Sequence, residues 1–369
     1  MDIDPLRRAS GPPGPLAAPK AWIYGESTLE RAEGALSSGW GLGGLSLELI
    51  AEGRVNQSFR VLEGGMPRYV LQRLNPALEC SEAMAWSWSQ AGEALSVAKL
   101  GCPEMVKTAD GRFLLDSDGE LWRLTRFLEG REPEAGSLSD AQAIGKALGL
   151  AHGAWNRPSP LVLTSTIDSG EVTNQRLCLR GDFELIEKSY KGHPSLAAAL
   201  PEIKRGAAAA AALPMRPAFV RVFSARDLVI HKDTKRTNFL LGRRVSIIDL
   251  DTVGYGDPLI DLGEALRSGA ASARPGELFS APWAAAFLDG YRSAGPDLGK
   301  EDFKLIPTVV RAICVNLARR YLTDSLAELH FKWDKDNYPS LHLQNLSRGA
   351  RCLDLADELL DREFELMSL

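Results

Sequence analysis

The run His231-Lys232-Asp233-Thr234-Lys235-Arg236-Thr237-Asn238, followed eleven residues on by Asp249-Leu250-Asp251, gathers residue types suited to one kind of chemistry. A carboxylate beside an alcohol can orient the hydroxyl and accept its proton. An amide oxygen and a second carboxylate are hard donors of the sort Mg2+ takes, few at a time, with phosphates and water completing its shell. The spacing therefore points to phosphoryl transfer from a nucleotide, with Asp233 as base and Asn238 and Asp249 as metal ligands. His231 is a poor Mg2+ ligand and is expected to brace the loop by hydrogen bonding. Apolar Val245 to Ile248 reads as a strand, so a hairpin between Asn238 and Asp249 would bring the two ligands together.

Such a site needs a wall that holds the nucleotide. Ala21 to Leu36 reads as an amphipathic helix, and Leu45 to Ile50, Phe59 to Leu62 and Arg68 to Leu74 as strands. A helix is expected over Ser81 to Leu100, then strands at Phe113 to Leu115 and Leu121 to Phe127 around the turn Asp118-Gly119. The segment Glu52 to Ser58, between two strands, is the expected phosphate loop; its Gly53 permits close backbone approach, and Asn56 lies beside it. The cluster Gly39-Trp40-Gly41-Leu42-Gly43-Gly44 precedes the first strand and opens no helix, so it reads as a linker. On the third strand a cation should face the phosphates. Arg73 can supply it, but alternation lets only one of Gln72 and Arg73 point that way. A carboxylate partner could be Glu82 or Glu93. Leu124 to Glu129, including Arg126 and Leu128, sits where a hinge would offer backbone groups to a nucleotide base.

Beyond Glu129 the pattern turns helical, with one short strand pair at Phe239 to Leu241 and Val245 to Ile248. The division expected is a disordered tail over residues 1–20, a sheet lobe over 21–129 and a mainly helical lobe over 130–369. The net charge of −5, with no basic stripe, gives no sign of nucleic acid as a partner. Five cysteines without CxxC pairs argue against a disulfide framework or structural zinc and fit a reducing cytoplasm. No apolar run reaches membrane-spanning length.

The strings Ile230 to Asp233 and Ile248-Asp249 resemble the catalytic core of the aminoglycoside phosphotransferase and choline kinase group. Within it, His231 to Asn238, Ile248 to Val253 and Asp261 to Arg267 are similar to N-acetylhexosamine 1-kinases, and Gly53 to Phe59, Tyr69 to Asn75, Arg320 to Asp324 and His330 to Lys332 extend the likeness. The resemblance implies an α+β, bilobal protein-kinase-like fold with a small antiparallel-sheet N-lobe. It implies Asp233 as catalytic base, Asn238 and Asp249 on Mg2+, Asp251 helping metal or substrate, and Asp261 bracing the loop. ATP or GTP would be the phosphate donor and a small polar hydroxylated molecule the acceptor. There are departures. The Phe-His-Asp segment of those sugar kinases is reduced here to Asp168, with Arg176 downstream, and Lys232 stands beside the base where relatives carry a small or neutral residue. Arg320, Tyr321, Asp324, Lys332 and Trp333 are further candidates for a substrate wall. No A-P-E motif follows, and the short path from Asp251 to Asp261 suits a small acceptor over a protein. The leading expectation is a kinase for a sugar or amino sugar; the alternatives are a kinase for an aminoglycoside or amino alcohol, and a pseudokinase that binds nucleotide without turnover.

Overall fold

A computed structural model describes residues 29–50, 56–76, 80–166, 176–272 and 276–367. Gly53 and Asp168 lie outside them. Helix α1 (Leu29–Trp40) starts the described chain and runs four residues beyond the expected end at Leu36. Strands β1 (Ser46–Ile50), β2 (Gln57–Glu63) and β3 (Met66–Arg73) follow, then helix α2 (Glu82–Val97), β4 (Met105–Val106), β5 (Leu114–Ser117) and β6 (Glu120–Arg126). The antiparallel sheet runs β1-β2-β3-β6-β4, with β5 paired to β6. Strand β4 has only two residues, too few for an alternation to announce it.

Period two gives this sheet two unlike faces. Phe59, Val61, Leu71, Trp122 and Leu124 lie on one face, packed with Ala32, Ala35 and Leu36 of α1 into a separate small core. Register places Ser58, Gln72 and Arg123 side by side on the other. The glycine cluster is the turn between α1 and β1: Gly41 and Gly44 take φ of 67° and 78°, a region that costs glycine little.

The chain then becomes helical: α3 (Leu138–Asn156), α4 (Arg180–Ser189), α5 (Leu196–Ala211) and α6 (Pro217–Ser224). Two short antiparallel pairs follow where one was expected. Strand β7 (Leu228–Ile230) pairs with β10 (Gly254–Gly256), and β8 (Phe239–Leu241) with β9 (Val245–Ile247). Strand β7 delivers the chain to His231, β9 delivers it to Asp249, and β10 returns it beside β7. Helix α7 (Pro258–Gly269) begins at once, because Asp257 accepts the Leu259 amide at 3.0 Å and Pro258 has no N–H to satisfy. Helices α8 (Ala281–Arg292), α9 (Lys300–Ala327), α10 (Leu341–Asp361) and α11 (Glu363–Leu366) complete the core. Helices α3 and α8 approach so closely that a Cβ on Gly145 would strike the Phe287 carbonyl oxygen. No helix among the described residues is long and apolar enough to cross a membrane.

Candidate active site

The loop after β7 is held from beneath by one carboxylate. Asp261, in the first turn of α7, is fully buried. Its oxygens accept the amides of His231 and Lys232, each at 2.7 Å, and the ring of His152 on α3 at 2.9 Å. The Thr234 hydroxyl donates to the Asp261 carbonyl at 2.5 Å. The partners assign the His152 tautomer: Nε2–H donates to Asp261, and Nδ1 accepts from Tyr291 Oη at 2.9 Å. Burial, with Asp261 nearby, pushes the Tyr291 phenol well above its usual pKa and keeps it a donor. His231 donates through Nε2 to the Ile248 carbonyl at 3.1 Å and accepts the Asp233 amide at Nδ1, tying the loop to the end of β9.

So anchored, the loop turns Asp233 outward with its side chain 27% exposed. Asn238 donates from Nδ2 to the Asp233 carbonyl at 2.7 Å and to its Oδ2 at 3.1 Å. That commits the amide nitrogen and leaves Oδ1 as the atom it can offer a metal. Asp249 stands in the left-handed region at φ 64°, ψ 54°, with its side chain 39% exposed. One amide oxygen and one carboxylate are donors that fit Mg2+. Among the described residues no cluster of three His, Cys, Asp or Glu could cage a metal, so phosphate oxygens would have to complete its shell.

The cation at the base is Lys235. Lys232 adjoins Asp233 in sequence, but it takes φ 67° and is buried, with Nζ against Gly254. Lys235 Nζ instead lies 2.5 Å from Asp233 Oδ2 and 3.5 Å from Asp249 Oδ2. Burial disfavours its charge, but Asp233 and then Asp249 outweigh that and raise its pKa above the ordinary lysine value.

On the sheet side, Arg73 is not the phosphate-facing residue. It shares a face with Leu71 and Trp122, reaches Gln57 and Glu120, and is 4% exposed. Alternation turns Gln72 inward, where it donates to Ser58 Oγ at 3.0 Å. The inward cation is Arg123 on β6, which the sequence reading passed over. It donates from Nε to Gln72 Oε1 at 2.8 Å and grips Asp251 with both terminal nitrogens, Nη2 at 2.8 Å. Neither proposed carboxylate partner on α2 takes part: Glu82 accepts the Phe113 and Leu114 amides, and Glu93 is exposed. Asn56 reaches Asp251 at 3.4 Å and accepts the Asn75 amide at 2.9 Å, which makes it a brace of this corner. Arg126 turns its side chain to Glu104 and donates its amide to the Glu104 carbonyl at 2.8 Å. Leu128 follows the cross-strand bond from Phe127 N–H to Arg68 O.

Two expected substrate residues are structural. Asp251 is spent on Arg123. Asp324 is wholly buried and accepts the amides of Leu329, His330 and Phe331 and the side chain of Asn345, closing the chain after α9. Arg176 pairs with Asp182 at the start of α4. Arg320 is half-buried, with its guanidinium carbon 5.9 Å from the Phe331 ring centre.

A family model described as a phosphotransferase enzyme family matches residues 46–302, which span the sheet, the catalytic-type loop and the metal turn. Solved structures share the fold at low identity. A microcompartment-associated aminopropanol kinase is 19% identical with a TM-score of 0.62, over 91% of this chain and 98% of that one. Amicoumacin kinase, solved with AMP-PNP, Ca2+ and Ami, is 14% identical with a TM-score of 0.57, over 92% and 95%. Spectinomycin phosphotransferase, solved with ADP and spectinomycin, is 11% identical with a TM-score of 0.55, over 90% and 98%. The match across most of the chain, set on a sheet lobe and a helical lobe of the protein-kinase kind, leads to one conclusion: the chain belongs to the phosphotransferase enzyme family and is a kinase of small molecules.

Proposed function

We propose that this kinase transfers the γ-phosphate of ATP or GTP, as its Mg2+ complex, to a hydroxyl of a sugar or amino sugar, the anomeric hydroxyl of an N-acetylhexosamine being the leading acceptor. The observation that carries the reading is the grouping of Asp233, Asn238 and Asp249 around Lys235. Asp233 orients the acceptor hydroxyl and takes its proton as oxygen bonds to the γ-phosphorus and the bond to the β-phosphate oxygen breaks. Bound Mg2+ would neutralise phosphate charge, held by Asn238 Oδ1 and the Asp249 carboxylate. Asn238 keeps Asp233 in one orientation, and Lys235 offsets the repulsion between the two carboxylates. The nucleotide would lie between lobes divided near residue 129, its base beside Leu128. Arg320 and Arg176 are kept as candidates for the acceptor side.

The same geometry bears on the alternative acceptors. A polycationic aminoglycoside or a charged amino alcohol calls for free carboxylates, yet Asp251 and Asp324 are both already paired. A neutral sugar does not need them.

Lys235→Met is expected to lower kcat about 100-fold, the effect of removing one preorganised electrostatic contact, with a smaller change in KM for nucleotide. Steady-state ADP formation checks this, and an unchanged kcat would remove Lys235 from the mechanism. For the acceptor, a thermal-shift panel of ATP and GTP with Mg2+, crossed with N-acetylhexosamines, neutral sugars, aminoglycosides and amino alcohols, should be followed by ADP-release assays on the hits. ADP release with an N-acetylhexosamine is expected. Release with an amino alcohol alone would overturn the sugar assignment, and nucleotide binding without release for any acceptor would mark a pseudokinase.

A further inference from the structure

We propose that Arg123 is a positioning residue: through its bidentate pair with Asp251 it ties the sheet lobe to the metal turn and fixes where Asp249 presents its carboxylate. The inference rests on the proposed Mg2+–nucleotide site.

Three groups hold the Arg123 guanidinium. Gln72 accepts from Nε at 2.8 Å, Asp251 takes both terminal nitrogens, and the Trp88 ring of α2 lies 4.1 Å from the guanidinium carbon. Side-chain exposure is 3% for Arg123 and 10% for Asp251, so the pair is nearly dry. Burial works against the arginine's charge, but Asp251 overrides it and raises its pKa above the ordinary value. Each charge is tolerable there because the other is present.

Asp251 lies two residues after Asp249, in the single 3-10 turn Leu250–Thr252 that Asp249 caps. Asp249 sits at φ 64°, a conformation that a non-glycine residue keeps only when its surroundings hold it. On its C-terminal side two anchors do so: Asp251 to Arg123 above, and Thr252 Oγ1 to the His231 carbonyl at 2.8 Å below. Asn56 adds a weaker contact to Asp251 at 3.4 Å. With Glu82 and Glu93 turned elsewhere, α2 contributes the Trp88 ring to Arg123 but no carboxylate to the ionic tie between sheet and site. That tie runs from β6 straight to the metal turn. Arg123 thus acts on the metal ligand through Asp251, as an outer partner that orients an inner one.

The test separates charge burial from positioning. Arg123→Met alone strands a buried carboxylate and is expected to lower Tm. Arg123→Met combined with Asp251→Asn removes both charges and is expected to recover most of that loss. Isothermal titration of ADP, with and without Mg2+, then reads the site. In the double variant the metal-free ADP affinity is expected within about 3-fold of the wild type, while the tightening caused by Mg2+ and the kcat each fall about 10- to 100-fold, the usual cost of losing an outer partner of a metal ligand. Wild-type Mg2+ tightening and kcat in the double variant would show that the pair only supports the fold, and would overturn the proposal. Should the double variant not fold, Arg123→Lys keeps the charge but loses the two-pronged grip; it is expected to show a weakened Mg2+ effect, and a wild-type one would overturn the proposal. A wild-type protein that binds no nucleotide overturns the functional reading itself, and this inference with it.

Discussion

Replacing Asp233 by alanine is expected to lower kcat about 1,000-fold while leaving ADP affinity within about 3-fold of the wild type, since a positioned proton acceptor contributes roughly 100- to 10,000-fold. The structure separates the two effects. The loop backbone around Asp233 is fixed by Asp261, which binds the His231 and Lys232 amides, and by Asn238, which binds the Asp233 main-chain carbonyl. None of these bonds needs the Asp233 carboxylate, so its loss should not unfold the loop. What disappears is the group facing the acceptor, 27% exposed and oriented by Asn238 and Lys235. Asp233→Asn keeps the size and can still meet Lys235 through its amide oxygen, but it is a far weaker proton acceptor. It should fall nearly as far as alanine. Steady-state ADP production, paired with calorimetric ADP binding, reads both quantities, and an Asp233→Asn enzyme within 10-fold of the wild type would argue for a base elsewhere.

The second large effect is on stability. Asp261→Asn is expected to cost about 3–5 kcal/mol, the penalty range for breaking a buried charged network. Asp261 is 0% exposed, and its two carboxylate oxygens accept three hydrogen bonds from His231, Lys232 and His152. An asparagine has one oxygen to offer and turns an NH2 group against N–H donors. Buried donors left without acceptors account for the cost. A midpoint lowered by on the order of 4–6 °C follows for a protein of this size. Activity should be lost below that temperature as well, because the freed loop no longer fixes Asp233. A thermal melt within 2 °C of the wild type would mean that the loop has another anchor.

Much of this was legible in the sequence for physical reasons that can be named. Strands β1, β2, β3 and β6 carry enough residues for alternation to show, and the expected segments overlap the observed ones. The hairpin that brings Asn238 towards Asp249 followed from an apolar run between polar ends. Strands β7 and β10 were invisible because three residues cannot display a period. The sequence posed the choice between Gln72 and Arg73 but could not settle it, since alternation fixes relative and not absolute orientation; α1 covers the face that carries Arg73. Arg123 had a signal of its own, a charged residue between Trp122 and Leu124 in a strand where those two had to face the core. Asp251 and Asp324 misled because an acidic residue near a motif looks like a ligand-binding group. Only their partners, Arg123 in one case and three backbone amides in the other, reveal supports. Lys232 and Lys235 differ in the same way. Sequence adjacency favours Lys232, while the left-handed backbone at Lys232 directs its ammonium to Gly254 and leaves Lys235 at the base.

The most direct test of phosphoryl transfer centred on Asp233 is to incubate the wild-type enzyme with Mg2+, ATP and an N-acetylhexosamine and follow ADP release together with the phosphorus NMR spectrum of the product. Acceptor-dependent ADP formation, a new phosphate resonance coupled to the anomeric proton, and loss of both in Asp233→Asn are the predicted results. ADP formation that proceeds unchanged in Asp233→Asn, or nucleotide binding with no phosphorylated product from any acceptor of the panel, would contradict it.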